Sequence, residues 1–476
     1  MRNNMWKKGI IFGIILLFVG TSVVQSISGD FLKESDGVRT RGTLYVGGSG
    51  PGNYSRIQDA IDNASDGDTI FVFKGTYYEN VFVDKSIDLV GENKDSTIID
   101  GSQIDNVVYA FHIANFKIEG FTVRNSNQGG STPGNVGVHI NYDNSHSGTY
   151  SICNCTIEDN GEGIALWNTK YCTITIKNCV IINNLYNGIN GGLGITNIIS
   201  NTISNNDRSG YTDWAGADNK IFINNIITSN AWYGINPHKD TPRYISYNNV
   251  WNNSLGNYYE GDGGPFTPIP GTGEISDNPL FVDSANGDYH LQSTQGSYHG
   301  GAWTPDSNTS PCIDAGDPAY PYENELEPNG GRINMGADGN TNEASKSPVP
   351  NQPPDAPTIT GPNKGKIGVA TMYNFSTIDP NGDDVHYFID WGDSTNSSWI
   401  GPYSSGATVT KSHTWTTKGT YIIKAKAKDI YGNESNWSTL SVTMPLSYEP
   451  PRHPFLLWLV ERFPHAFPIL RHLLGY

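Results

Sequence analysis

The sequence predicts an all-β chain: a parallel β-helix followed by a second, separate β domain. Two observations predict the first part. Short segments of one pattern begin at Asn154, Asn178, Ser200, Asn224 and Asn248, a period of 22–24 residues. Read in full, they include Asn154-Cys-Thr-Ile-Glu-Asp-Asn160, Asn178-Cys-Val-Ile-Ile-Asn-Asn184 and Asn224-Asn-Ile-Ile-Thr-Ser-Asn230. A fixed period in this range marks stacked units, none of which can bury its apolar side alone. The second observation is the punctuation. Each β-branched run is followed by Asn and then a Gly turn, at Gly163, Gly188, Gly210 and Gly234, with no helical periodicity between. Short strands joined by Asn and Gly turns, one coil per repeat, wind into a parallel β-helix. A third observation, the clean alternation of Gly419-Thr-Tyr-Ile-Ile-Lys-Ala-Lys-Ala-Lys-Asp429 after a Pro-rich break, marks the second domain.

The elements follow in order. Residues 1–28 read as a signal peptide: Arg2, Lys7 and Lys8 precede an apolar run from Gly9 to Val24, and Ser26-Ile27-Ser28 supplies small residues for cleavage. The alternative is a retained anchor, although the run is short for a span. Either reading puts the body outside the cytoplasm, secreted or at the cell surface. Asn53 to Ala64 reads as a short amphipathic helix with Ile57, Ala60, Ile61 and Ala64 on one face, placed to cover the open end of the first coil. Then come Gly67-Asp-Thr-Ile-Phe-Val-Phe-Lys-Gly-Thr-Tyr77, Ser86-Ile-Asp-Leu-Val-Gly91 and Ser96-Thr-Ile-Ile-Asp-Gly101.

This entry segment and the repeats resemble the right-handed, single-stranded parallel β-helix proteins of the pectin-lyase-like superfamily, including its carbohydrate-binding and sugar-hydrolase (CASH) domains. The resemblance covers residues 43–340. It implies the fold; the scaffold hosts lyases, hydrolases, epimerases and pure binders, so it does not name an activity. Within that span, Asp277-Asn-Pro-Leu-Phe-Val-Asp283, Gly287-Asp-Tyr-His-Leu-Gln292, Ser310 to Asp317 and Gly331 to Ala337 resemble the closing segment of exported β-helix proteins, covering the last coils. His290, Asp314 and Asp317 there are read as holding turns.

Residues 341–356 form a Pro-rich linker, from which little contact between the two domains is expected. In residues 357–445 the pieces Asp390-Trp-Gly-Asp393, Ser412-His-Thr-Trp415, Gly419-Thr-Tyr421 and Ala427-Lys-Asp429 resemble a polycystic-kidney-disease (PKD) type domain, an immunoglobulin-like sandwich that the resemblance casts as a spacer or adhesion module. Tyr421, Ile423, Ala425 and Ala427 face one way and Lys424, Lys426 and Lys428 the other, as in a strand with one wet face. The tail, 446–476, is hydrophobic and basic. Pro464 and Pro468 break it, so it is not one spanning helix. It either docks on its own domain or meets a membrane surface or anchoring partner.

Composition narrows the partners. The chain has 476 residues and a formal net charge of −17, which repels nucleic acid. Its 5 cysteines are too few for a disulfide framework at this length. Cys155 and Cys179 share a register and read as small apolar residues stacked inside the coil. A disulfide among Cys153, Cys155, Cys172 and Cys179 is the alternative, and no histidines sit beside them at metal spacing.

The candidate site comes from register. Two residues before the turn glycines lie Tyr186, Arg208 and Trp232, and four after lie Trp214 and His238. Stacked one strand spacing apart, these suit a sugar polymer: flat rings for pyranose faces, a guanidinium for a uronate carboxylate. The carbohydrate-binding set is therefore Tyr186, Arg208, Trp214, Trp232 and His238. If the site is catalytic, Arg208, Lys220, Asp213 and Lys239 are the candidates for a lyase base and its partners. Asp207, Asp213 and Asp240 are candidates for Ca2+. Asp379, Asn381 and Asp383 in the second domain have the alternating spacing of a calcium loop, beside the plainer reading of an Asp-Pro-Asn-Gly turn. No cofactor is required by this reading; Ca2+ is the one ion it admits.

Three functions stay open. The first is an exported or surface-attached protein that binds polysaccharide or a glycoconjugate. The second is a lyase, or less so a hydrolase, of acidic polymers. The third is a structural surface or adhesion protein. The polygalacturonase Asp-Asp and Gly-His-Gly motifs and the paired arginines of the major pectate lyases are missing from the first domain. One feature of the repeat carries its own expectation: Asn160, Asn184, Asn206 and Asn230 stack as an amide ladder.

Overall fold

The computed structural model describes residues 41–129, 135–213, 219–261 and 263–445, with residues 458 and 462 of the tail. The signal segment, the bulk of the tail and Trp214 lie outside the described residues. Among the described residues no helix is long and apolar enough to cross a membrane.

The first domain is a parallel β-helix of about nine coils. Each coil visits three sheets in turn, here called A, B and C. One coil runs through Thr173–Lys177 in sheet A, Val180–Ile182 in sheet B and Ile189–Gly191 in sheet C. Sheets A and C have nine strands and sheet B eight; all pair in parallel except the last strand of sheet C, Gly264–Pro265, which is antiparallel. The amphipathic segment forms a helix over Ile57–Asn63, shorter than the sequence suggests, with Ile57, Ala60 and Ile61 buried against the first coil. Its free N-terminal amides are taken by the Glu79 carboxylate, at 2.8 Å from Ile57 N and 3.0 Å from Gln58 N.

The repeat explains itself residue by residue. Its first position, Asn154, Asn178, Ser200 and Asn224, turns the chain from sheet A to sheet B with φ between 46° and 60°. Its sixth, Asp159, Asn183, Asn205 and Ser229, turns it from sheet B to sheet C with φ between 55° and 57°. Single left-handed residues cost least when they are Gly, Asn or Asp, which is why six of these eight corners are Asn or Asp and only Ser200 and Ser229 depart. The fourth position, Ile157, Ile181, Ile203 and Ile227, stacks in register inside sheet B at 0% exposure. Each such isoleucine contributes roughly 1.5–3 kcal/mol by leaving water.

The seventh position is the expected ladder. The Asn184 side-chain amide donates to Asn206 Oδ1 at 2.8 Å, Asn206 to Asn230 at 2.9 Å, and Asn230 to Asn253 at 2.9 Å. Asn160 joins through its backbone N–H to Asn184 Oδ1 at 3.1 Å. A second ladder occupies the other corner. Asn201 donates to Asn225 at 3.0 Å, Asn225 to Asn248 at 2.8 Å, and Asn248 to Glu274 Oε1 at 2.7 Å. Cys155 and Cys179 continue this column toward the N-terminus. All five cysteines are free thiols, so the stacked reading of that pair holds and the disulfide alternative does not.

The turn glycines are needed for space. A Cβ at Gly188 would lie 2.8 Å from the Gly210 carbonyl oxygen and 2.8 Å from the Ile203 side chain. Gly188→Ala should therefore destabilise the domain by about 1–3 kcal/mol, read as a lower unfolding midpoint in denaturant; an unchanged midpoint would show that the coils are less tightly stacked than this.

The closing segment does not merely cover the last coils. It runs back along the outer face of sheet B, where Tyr289, Leu291, Cys312, Met335 and Ala337 bury Val180, Ile182 and Ile226. The later strands of sheet B are thus covered on both faces, which accounts for unbroken apolar runs such as Val180–Ile182. The corners hold the segment: Asn178 Nδ2 donates to the carbonyls of Ala337 and Gly339 at 2.7 and 2.9 Å, and Asp317 N donates to Asn224 Oδ1 at 2.6 Å. The expected linker is in part absorbed. Ala344, Ser345 and Ser347 are buried, and Ser347 binds Pro328 O and Asp314 Oδ1, both at 2.7 Å, so the Pro-rich spacer proper begins after Ser347.

The second domain is a sandwich. One sheet is Thr358–Thr360, Thr371–Ser376 and Val409–His413; the other is Asn396–Tyr403, Val385–Asp390, Gly419–Lys428 and Ser438–Met444. Tyr373, Phe375, Tyr387 and Trp415 fill the space between, with Ile423, Ala425 and Ala427 at 0% exposure as the alternation requires.

Candidate functional site

With sheet B covered, sheet C and its corners carry the candidate site. Tyr186, Arg208 and Trp232 occupy one register in the turn that enters sheet C. Arg208 N donates to Tyr186 O at 2.9 Å and Trp232 N to Arg208 O at 3.0 Å, so the three stand on consecutive coils. The Arg208 guanidinium lies between the two rings, 4.5 Å from the Tyr186 centroid and 5.1 Å from that of Trp232. Stacking occupies its faces. Its N–H edge makes no hydrogen bond or ion pair with the described residues. Trp232 is 42% exposed.

Across the corner is Glu162, which the sequence did not single out. Its carboxylate accepts the Asn187 backbone N–H at 3.1 Å and the Asn187 side-chain amide at 3.2 Å. Burial pushes its pKa up to about 7, against the pull of Asn187 and the Arg208 charge. It changes charge near neutrality beside an arginine.

The other predicted residues divide. His238 N donates to Asp213 Oδ1 at 2.6 Å, and Thr241 and Tyr211 hydroxyls donate to the same carboxylate at 3.2 and 3.0 Å. Asp213 is buried, its pKa raised by that burial. Lys220 is wholly buried, its ammonium bonded to the Gly192 and Gly194 carbonyls and Thr196 Oγ1. Both are interior groups that tie the turn leaving sheet C, so neither is a base or metal ligand open to a polymer. Asp207 is exposed at the opposite corner, so Asp207, Asp213 and Asp240 do not converge on one ion. Lys239 and Asp240 are exposed beside His238 in that turn.

In the sandwich, Asp379 Oδ1 accepts the N–H groups of Asn381 and Asp383 at 2.9 and 3.2 Å, as the turn reading requires. Asn381 instead ties the spacer, accepting Gln352 N at 2.7 Å. Asp379 Oδ2 is buried without a partner among the described residues. Burial and the neighbouring Asp379 and Asp429 charges raise the Asp383 pKa.

A second feature of sheet C was not foreseen. Phe82, Tyr109, Phe111, His139 and Trp167 form a strip on its outer face across four coils. Tyr109 stacks on His139 with centroids 4.7 Å apart, and His139 meets Trp167 edge-on at 4.7 Å. Phe82 and Trp167 are 41% and 37% exposed. His139 is buried at 1% exposure, with neither ring nitrogen bonded among the described residues, and burial drives its pKa down to about 4. The spacings along this strip are irregular, because the early coils carry loops of different length, so no register argument on the later repeats reaches it.

A family model described as "Disaggregatase related" matches residues 132–316. No curated protein was found to match. A solved PKD domain of an M14-like peptidase from a Thermoplasmatales archaeon is 56% identical, over 20% of this chain and 99% of that one, with a TM-score of 0.20. The C-terminal sandwich is PKD-like. A CARDB domain from Pyrococcus furiosus is 20% identical over 19% of this chain and 94% of that one, with a TM-score of 0.16. The chain is thus similar to a disaggregatase-related family over its later coils and to a PKD domain over its sandwich.

Proposed function

We propose that this is an extracellular or surface β-helix protein that binds an acidic polysaccharide along sheet C, with the PKD-like sandwich as a spacer. The observation that carries the reading is Arg208: a cation clamped between two rings, its donor edge free of partners among the described residues. Such an edge suits a carboxylate, and the exposed faces of Trp232 and Trp167 suit sugar rings. An extended polymer along the coil axis advances about one sugar per strand spacing of about 4.8 Å. The charged basic tail and the apolar leader fit attachment or export. The matched family's description, disaggregatase related, fits a protein that engages an extracellular polymer.

Binding of matched acidic and neutral oligosaccharides tests the reading. Trp232→Ala should weaken acidic-chain binding about 10-fold, on the order of 1.4 kcal/mol. Arg208→Ala should chiefly erode the acidic preference, about 3-fold, as an exposed pair warrants. Unchanged binding by both folded variants would remove the site and leave a structural rod in front.

Glu162 favours a second reading. A carboxyl with a pKa of about 7 beside an arginine is equipped to move a proton, as a lyase or hydrolase of acidic chains would need. Unsaturated product formed by the wild type and lost in Glu162→Gln would establish it; no turnover of any acidic polymer would leave the binding reading alone.

A further inference from the structure

His290 belongs to the strand Asp288–Leu291 of the closing segment, and Asp338 and Glu343 to the loop that follows its last turn. Facing ligand atoms of the three lie within 4.8 Å of one another. We propose that His290, Asp338 and Glu343 bind a divalent first-row transition ion, with Zn2+ the best fit to one imidazole and two carboxylates.

The histidine is set up as a ligand. Its Nδ1 lies 2.7 Å from Asp288 Oδ1, which fixes the proton there and leaves the Nε2 lone pair to face the other two groups. Nε2 is buried and has no hydrogen-bond partner among the described residues. Its nearest charged neighbour is Asp338 Oδ2 at 3.8 Å, too long for a hydrogen bond but right for two ligands on either side of an ion. The far oxygen, Asp338 Oδ1, is held by Lys94 Nζ at 3.5 Å, from the turn between sheets A and B of an early coil. Two of the three ligands are therefore oriented by a second group, Asp288 for His290 and Lys94 for Asp338, and the lysine sits on the oxygen that the ion does not need. In a tetrahedral zinc site with bonds of about 2.0–2.1 Å, ligand atoms stand roughly 3.3 Å apart, so the cluster needs a contraction of roughly 1 Å to close.

The surroundings leave room for an open coordination position. The site borders a cleft of about 550 Å³ lined by Asn93, Lys94, Asn178, Thr341 and Glu343 among others. An ion held there would join the closing segment to the coil through Lys94, and would expose one face to the cleft.

Calorimetric titration of the chelator-stripped full chain with Zn2+ tests this. The wild type should bind one equivalent. Glu343→Gln and Asp338→Asn should each weaken binding at least 30-fold, and Asp288→Asn about 10-fold, as loss of an orienting partner does. His146→Ala should change nothing, although His146 forms a surface pair with Asp143 at 3.0 Å. Glu343 is half-buried at the cleft, so Glu343→Gln keeps the fold if His290 or Asp338 variants do not; circular dichroism of the metal-free variants checks it. Co2+ should give a visible absorption band in the wild type that Glu343→Gln abolishes. No stoichiometric Zn2+ site, or equal affinity in Glu343→Gln, would overturn the proposal.

Discussion

Replacing Asn206 by alanine is expected to cost the β-helix about 3–5 kcal/mol. Its carbonyl oxygen accepts the Asn184 side chain at 2.8 Å and the Asn184 backbone N–H at 3.2 Å; its amide donates to Asn230 Oδ1 at 2.9 Å. All three residues are at or below 1% exposure. Alanine removes one rung: the Asn184 backbone N–H loses its acceptor, the Ile181 and Ser204 carbonyls lose a donor, and the Asn184 amide and Asn230 Oδ1 are each left with one weaker partner, Ile157 O and the Asn206 N–H. Buried polar groups left unpaired cost about 1–3 kcal/mol each. Because coils touch only their neighbours, the loss should also uncouple the two halves of the array. Thermal unfolding of the full chain would show a β-helix transition lowered by about 5–15 °C, with the sandwich transition unmoved. A shift no larger than that of an exposed Asn→Ala change would mean that the ladder is decorative.

Acidification from pH 8 to 5 is expected to stabilise the β-helix. Glu162 and Glu325 are both pushed up to about 7 by burial, from an ordinary 4.5. A raised carboxyl contributes stability that is present in full below 4.5 and lost as pH rises through 7. His139 acts oppositely. Held at about 4 against an ordinary 6.5, it contributes stability above 6.5 that is lost as pH falls toward 4. Between 4.5 and 6.5 the two glutamates outweigh the histidine, and Glu158, Asp213, Glu274, Asp314 and Glu343, also raised by burial, pull the same way, so stability falls as pH rises. Below 4.5 only the histidine remains, joined by Asp288, whose partner His290 holds it below the usual carboxylate range. The optimum should therefore lie near pH 4.5. Denaturant midpoints across pH 4–8 check this, and Glu162→Gln with Glu325→Gln should make the slope markedly shallower. A wild type that gains stability from pH 5 to 7 would refute the assignment.

The fold was legible because its rules are local. Asn178 and Asn183 are written at corners that need positive φ, and Cys179 and Ile181 sit at the inward positions between them. The ladder at Asn206 could be read for the same reason: one register, one repeated amide. The second ladder was hidden because its column changes from Cys155 and Cys179 to Asn201, Asn225 and Asn248, so no single residue type marks it. The site was legible only in its ladder part. Register alone stacks Tyr186, Arg208 and Trp232, but says nothing of depth, and it is depth that takes Lys220 and Asp213 into the interior. His290 meets Asp338 and Glu343 through a chain path that folds back over sheet B, a contact that no spacing in the sequence announces.

The two asparagine ladders have a direction. From Asn184 and Asn201 onward, every rung gives one amide hydrogen toward the C-terminal end, to the next oxygen of its column, and returns the other to a carbonyl of the coil before it, while its own oxygen faces the N-terminal end. A column of this kind cannot simply stop, since the last amide would face nothing. One column ends on the oxygen of Asn257, whose own amide escapes to Ser276 at the surface; the other ends on Glu274, a side chain that only accepts when ionised. These terminators act as a ruler. Whole coils bearing both asparagines can be duplicated or deleted in the interior of the array without disturbing either end, whereas a coil added beyond Glu274 would meet a carboxylate where it needs an amide. Length variation among chains of this construction should therefore occur in complete 22–24-residue steps upstream of the terminators.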